Sequence, residues 1–158
     1  MFVIKPATEA DLPLVLSFIR ELAAYEKLSH LVVATEADLH LHLFGEEKAA
    51  EVLIGYEGSE PAAFALFFRN FSTFLGKPGI YLEDLFVKPS FRRKGYGKAL
   101  LKALARLVVE RHFGRLEWSV LDWNKPAIDF YREMGAVPLD DWTMFRLSGA
   151  DLLRAAQP

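Results

Sequence analysis

An apolar, β-rich run, Leu82-Glu83-Asp84-Leu85-Phe86-Val87, stops at Lys88-Pro89, and a basic loop with two glycines, Arg92-Arg93-Lys94-Gly95-Tyr96-Gly97-Lys98, follows directly. Beyond it Leu100, Leu101, Leu104, Leu107 and Val108 recur at helical spacing. The chain is thereby committed to a strand, a short loop and an amphipathic helix in that order. Backbone N–H groups at a helix start carry partial positive charge, and glycines let an anion approach closely. Arg92, Arg93, Lys94 and Lys98 add full charges around the loop. The segment reads as a pyrophosphate-sized anion site, the alternative being an ordinary basic helix start.

Spacing excludes two common phosphate loops. A dinucleotide fingerprint needs a third glycine where Leu100 stands. A P-loop needs a glycine where Arg92 stands and a hydroxyl where Ala99 stands. What remains is Arg-x-x-Gly-x-Gly after a strand.

At 158 residues and 52% hydrophobic content, residues 1–158 read as a single domain with a real core. A net charge of −2 gives no global basic field for nucleic acid. The absence of cysteine removes disulfides, thiolate metal sites and a cysteine nucleophile together. Met1 to Pro6 lacks a signal-peptide layout, and no apolar run is long enough for a membrane helix. The expectation is a cytoplasmic protein without a membrane partner. His40 and His42 point to different helix faces and His30 and His112 have no companions at ligand spacing, so no metal is expected.

Phe2 to Ile4 reads as a first strand. Thr8 with Asp11, and Thr35 with Asp38, are capping-box signals for two helices. Ala50 to Gly55 and Ala62 to Phe71 read as strands around Gly58-Ser59, and Gly76 to Gly79 as a turn into the strand Ile80 to Val87. After the long helix, which should stop at Gly114, come a strand Leu116 to Leu121, a short helix from Asn124 to Gly135 and a last strand Thr143 to Leu147. The order β-α-α-β-β-β-α-β-α-β predicts an α+β fold.

Over Phe2 to about Leu153 the chain resembles the diamine branch of the GNAT N-acetyltransferases, which includes spermidine/spermine and thialysine acetyltransferases. The resemblance is carried by Ile4-Lys5-Pro6-Ala7-Thr8, Glu21 to Glu26, Tyr81 to Val87, Arg92 to Gly97 and Trp123 to Tyr131. It departs at Arg93, where relatives usually carry glycine, and at Glu117-Trp118-Ser119 and Asp140-Asp141-Trp142. It implies the GNAT acyl-CoA N-acyltransferase fold, a mixed, mostly antiparallel twisted sheet flanked by helices. It also implies acetyl-CoA as co-substrate, and a homodimer paired through the C-terminal strand region. The pyrophosphate would then sit on the N–H groups of Arg93, Lys94, Gly95, Tyr96, Gly97 and Lys98. Leu85, Phe86 and Val87 would meet the pantetheine arm at a splay after the fourth strand, which aims a backbone N–H at the thioester oxygen. Asn124, Lys125, Pro126, Ala127 and Phe130 would complete the cofactor contacts.

An amine of pKa about 10.4 is only about 0.04% neutral at pH 7, so acetyl transfer needs a proton acceptor. Glu83 is a carboxylate in an apolar strand, either a base or an edge side chain in water; the resemblance favours the base, acting through water. Simple alternation turns Asp84 the other way and makes it the weaker candidate. The phenol of Tyr131 can protonate a leaving thiolate, and the matching family motif gives it that role. Tyr25 and Glu26, with Glu83, Glu117, Trp118 and Ser119, are expected on the acceptor side, where carboxylates would hold a second amine. With no cysteine to carry the acetyl group, transfer should be direct. The expected activity is N-acetylation of a primary amine on a polyamine-like or lysine-analogue substrate. The alternatives are acetylation of protein N-termini or lysines, and a CoA-binding sensor without catalysis.

Overall fold

Thr35 caps helix α2 (Glu36–Phe44) as its spacing predicts: its hydroxyl accepts from Asp38 N–H at 3.2 Å while Asp38 accepts from Thr35 N–H at 2.8 Å. The Thr8–Asp11 box forms too, at 2.7 Å. It opens a single 3-10 turn ahead of α1 (Leu12–Tyr25), which carries Pro in its first turn. The computed structural model describes residues 1–158 and resolves two compact units, 1–122 and 123–158.

Unit 1–122 is built on a five-stranded sheet in the order β1 (Phe2–Pro6), β2 (Glu51–Glu57), β3 (Glu60–Ser72), β4 (Lys77–Val87) and β5 (Leu116–Trp118). The first three pairings are antiparallel and β4–β5 is parallel, so the sheet is mixed and mostly antiparallel, as expected. Helix α3 (Tyr96–Glu110) follows β4 through the basic loop. Alternation along β3 splits the core. Phe64 and Leu66 join Val15, Phe18, Leu22, Leu43, Val52, Ile54 and Phe86 in one buried cluster with α1 and α2, the Phe18 and Phe64 rings stacked at 4.9 Å. Ala63, Ala65 and Phe67 point to the other face.

Three expectations need correction. The hairpin turn is shorter than the Gly76 to Gly79 segment suggests. Lys77, Pro78 and Gly79 already pair with Ser72, Phe71 and Asn70, and Gly76 alone supplies the left-handed φ of 62°. β5 stops at Trp118, where its ladder with β4 ends, so Ser119 to Leu121 are not strand. Thr143 to Leu147 forms no strand either. Alternating residues become a strand only against a partner, and these five are all exposed and unladdered. Unit 123–158 instead holds two short helices, α4 (Lys125–Glu133) and α5 (Gly149–Ala155).

Candidate active site

Helix α3 starts from Gly95, whose φ of 82° only glycine adopts without strain. The first helical bond is Ala99 N–H to the Gly95 carbonyl, 2.9 Å, so the N–H groups of Tyr96, Gly97 and Lys98 lie ahead of the helical ladder. Nothing approaches within 4 Å of a Cβ built on Gly95, and one on Gly97 would meet only Val87 Cγ2, at 3.7 Å. The space over both glycines is open, as a cradle for a bulky anion requires.

The four basic residues divide by what they touch. Lys94 donates to both carboxylate oxygens of Glu57, at 3.0 and 2.8 Å. Hydrogen bonding to Lys94 holds Glu57 below the usual carboxylate range. The Arg92 Nε donates to the Val87 carbonyl at 3.0 Å, and its guanidinium lies 4.7 Å from the Tyr25 ring centre and 5.6 Å from that of Phe86. Tyr96 turns away from the loop to stack on Phe2, 3.8 Å between ring centres, beside Gly55, where any Cβ would strike the Phe2 ring. Lys94, Tyr96 and Arg92 thus anchor the loop to β1, β2, β4 and α1. Arg93 and Lys98 form no ion pair, in contrast to Lys94.

The β4–β5 ladder ends at Leu82↔Trp118, so from Glu83 onward β4 has no strand on that side. Lys88 N–H bonds the Ala62 carbonyl on β3, 2.9 Å away. By alternation Phe86 also faces β3, while the N–H and C=O groups of Leu85 and Val87 face the gap. These are the backbone positions expected at the splay.

At the start of the gap the β3–β4 register slips. Phe67 pairs with Leu82 and Leu66 with Asp84, leaving Glu83 opposite no residue. This β-bulge breaks the alternation on which the sequence reading of Glu83 and Asp84 rested. Leu82 now shares a face with Phe67, whereas Asp84 shares the α1 face with Leu66 and Phe86. Glu83 is exposed and Asp84 half-buried. Burial first, then the charges of Glu83 and Glu26, push the Asp84 carboxyl up to about 7. Burial also raises Glu26, the C-cap of α1.

The other acceptor-side candidates have protein partners. Glu117 pairs with Arg115 at 2.7 Å and accepts from Asn70 Nδ2 at 3.3 Å; Ser119 Oγ lies 2.6 Å from the Tyr81 hydroxyl. Trp118 ends β5 opposite Leu82. In unit 123–158, buried Asn124 caps α4 by accepting from Ala127 N–H at 3.4 Å, with Pro126 in the first turn. Lys125 pairs with Asp129 at 3.0 Å. Phe130 and Tyr131 lie ring to ring at 5.4 Å, both half-buried, and Gly135 ends the helix with φ 88°.

The profile of the Acetyltransferase (GNAT) family matches residues 19–136. L-ornithine N5-acetyltransferase NATA1 of Arabidopsis thaliana is 34% identical over 197 aligned residues, spanning 96% of this chain and 86% of that protein. Thialysine N-epsilon-acetyltransferase of Caenorhabditis elegans is 40% identical over 144 residues, 89% of this chain and 88% of the other. Among solved structures, an integron cassette protein from V. cholerae superposes with a TM-score of 0.82 at 30% identity, covering 99% of this chain and 98% of that one. The chain belongs to the GNAT family of acetyltransferases and has the GNAT fold. It is an N-acetyltransferase, an enzyme acting on amines.

Proposed function

We propose that the protein transfers the acetyl group of acetyl-CoA directly to a primary amine on a small molecule that carries a second cationic nitrogen, of the polyamine or lysine-analogue (thialysine-type) kind. The observation that carries this reading is the group Glu26, Glu83 and Asp84. The charges of Glu83 and Glu26 act on Asp84 beside the open edge of β4, and no cation is paired to any of the three. Arg92, the nearby guanidinium, is held over Tyr25 and Phe86 instead. A like-charged cluster of this kind is costly until a cation joins it. The two sequence relatives are named for ornithine and thialysine, both amino acids with a side-chain amine.

The residues present fit acetyl-CoA. The helix-start N–H groups, Arg93 and Lys98 would take the pyrophosphate over Gly95 and Gly97, with Lys94, Arg92 and Tyr96 holding the loop in shape. Leu85 and Val87 would pair with the pantetheine arm beside Phe86, and Asn124, Lys125, Pro126, Ala127 and Phe130 would add contacts. When bound, acetyl-CoA supplies the activated acyl group. A backbone N–H at the splay would hold the carbonyl oxygen, a carboxyl of the β4 cluster would take the amine's proton, and Tyr131 would donate one to the departing sulfur. The proposal takes 1–158 as one functional domain, cytoplasmic, working as a homodimer. Leu139, Trp142, Met144, Phe145, Leu147, Leu152 and Leu153 are each at least half exposed in the single chain, and a second copy would cover them.

Kinetics of Glu26→Gln on a diamine and on an uncharged monoamine of similar length test the acceptor. A higher KM for the diamine alone is expected. Equal losses on both substrates, or none on either, would place the second nitrogen elsewhere.

A further inference from the structure

We infer that Glu57, an acidic residue on β2, positions the loop that receives the phosphates of acetyl-CoA, so that removing its negative charge weakens the binding of an anion. This deepens the proposed function and rests on its acetyl-CoA reading. The basis is how little the loop does to hold itself. The N–H groups of Gly95, Tyr96, Gly97 and Lys98 meet no backbone carbonyl, which leaves a row of donors free for an anion. Two residues of the loop are left-handed, Arg93 at φ 61° and Gly95 at φ 82°. Glycine takes that conformation freely, whereas a β-carbon disfavours it in arginine. Side chains must therefore fix the shape.

Lys94 lies between the two left-handed residues. It reaches both carboxylate oxygens of Glu57, at 3.0 and 2.8 Å, and its ammonium is 5.3 Å from the Phe91 ring centre. Glu57 is the cross-strand partner of Phe2, and the Phe2 ring stacks on Tyr96. One rung of the β1–β2 ladder thus grips the loop on both sides of Gly95. Lys94 first, and the Tyr96 hydroxyl with a smaller share, hold the Glu57 carboxyl below its usual range. With Lys94 released, Arg93 can leave its left-handed turn and the free donors lose their common direction. The anion must then order them as it binds, which lowers affinity.

Other roles for Glu57 give other signs. A carboxylate beside an anion site repels the anion, and its loss would also free the Lys94 ammonium. Coulomb forces alone would therefore tighten binding in Glu57→Gln. An exposed ion pair without a positioning role would change nothing.

Calorimetric titration of acetyl-CoA into the unliganded full chain separates these cases, using the parent, Glu57→Gln, Lys94→Met and the double variant. Glu57→Gln should raise the dissociation constant roughly fivefold, the upper end for an exposed pair. Lys94→Met should match it. The double variant should bind no more weakly than either single one, because both break one link. In steady state, Glu57→Gln should raise the KM for acetyl-CoA by a similar factor and keep kcat at saturating acetyl-CoA. An unchanged or lower dissociation constant in Glu57→Gln, or losses that add in the double variant, overturns the inference and leaves acetyl transfer standing. A lowered melting temperature with unchanged affinity overturns it too, since Glu57 would then serve stability alone. A parent that does not bind acetyl-CoA ends this inference and the proposed function together. One that binds it and acetylates no amine ends only the latter.

Discussion

Asp84 costs the fold stability when it is ionised. Its folded value, about 7, lies above the ordinary aspartate value, so folding takes up a proton between the two. The associated stabilisation is complete below about pH 4 and is lost as pH rises through 7. Asp84→Asn should therefore melt a few degrees above the parent near pH 8.5 and converge with it near pH 4, as measured by calorimetry of the unliganded protein. The basic residues make a second residue-scale contrast. Arg92 bonds the Val87 carbonyl and covers Tyr25, so Arg92→Met should lower stability by about 1 kcal/mol and shift acetyl-CoA affinity little. Lys98→Ala has no ion pair to lose and should leave the melting temperature alone while weakening acetyl-CoA about tenfold in calorimetric titration. Equal effects of the two on affinity would return Arg92 to the phosphate.

Elements whose signals are local were legible in the sequence, and those decided across the sheet were not. The Thr35–Asp38 box, Gly135 at the end of α4 and the strand–loop–helix around Gly95 form from neighbours within a few residues. The bulge at Glu83 is fixed by which β3 residue faces which β4 residue, and Thr143 to Leu147 lacks the neighbouring strand that its alternation needs. For the same reason the loop ahead of α3 was readable while the register slip at Glu83 was not. The start of α3 carries its own prediction. Gly97 sits in a helix with room for a Cβ, so Gly97→Ala should stabilise the unliganded protein by about 0.5–1 kcal/mol. Gly97→Val, whose branched side chain fills the anion's approach, should abolish most of the thermal shift given by acetyl-CoA. That shift is about 2.7 kcal/mol in the parent at a hundred times the dissociation constant. A full shift in Gly97→Val would put the phosphates elsewhere.

At the scale of the whole molecule, the exposed apolar side chains between Leu139 and Leu153 set the expectation of a dimer. Sedimentation equilibrium of Trp142→Glu with Phe145→Glu should give a monomer where the parent gives a dimer; a monomeric parent would remove the second copy from the account. No helix is long and apolar enough to cross a membrane. The most direct test of the central claim is steady-state acetylation across a panel of diamines, lysine analogues, monoamines and peptides, with acetyl-CoA as donor and the product identified by mass. The account predicts kcat/KM at least about tenfold higher for amines that carry a second cationic nitrogen than for monoamines of equal length, and negligible turnover of peptides. Equal rates on monoamines, or peptides as the best substrates, would contradict it.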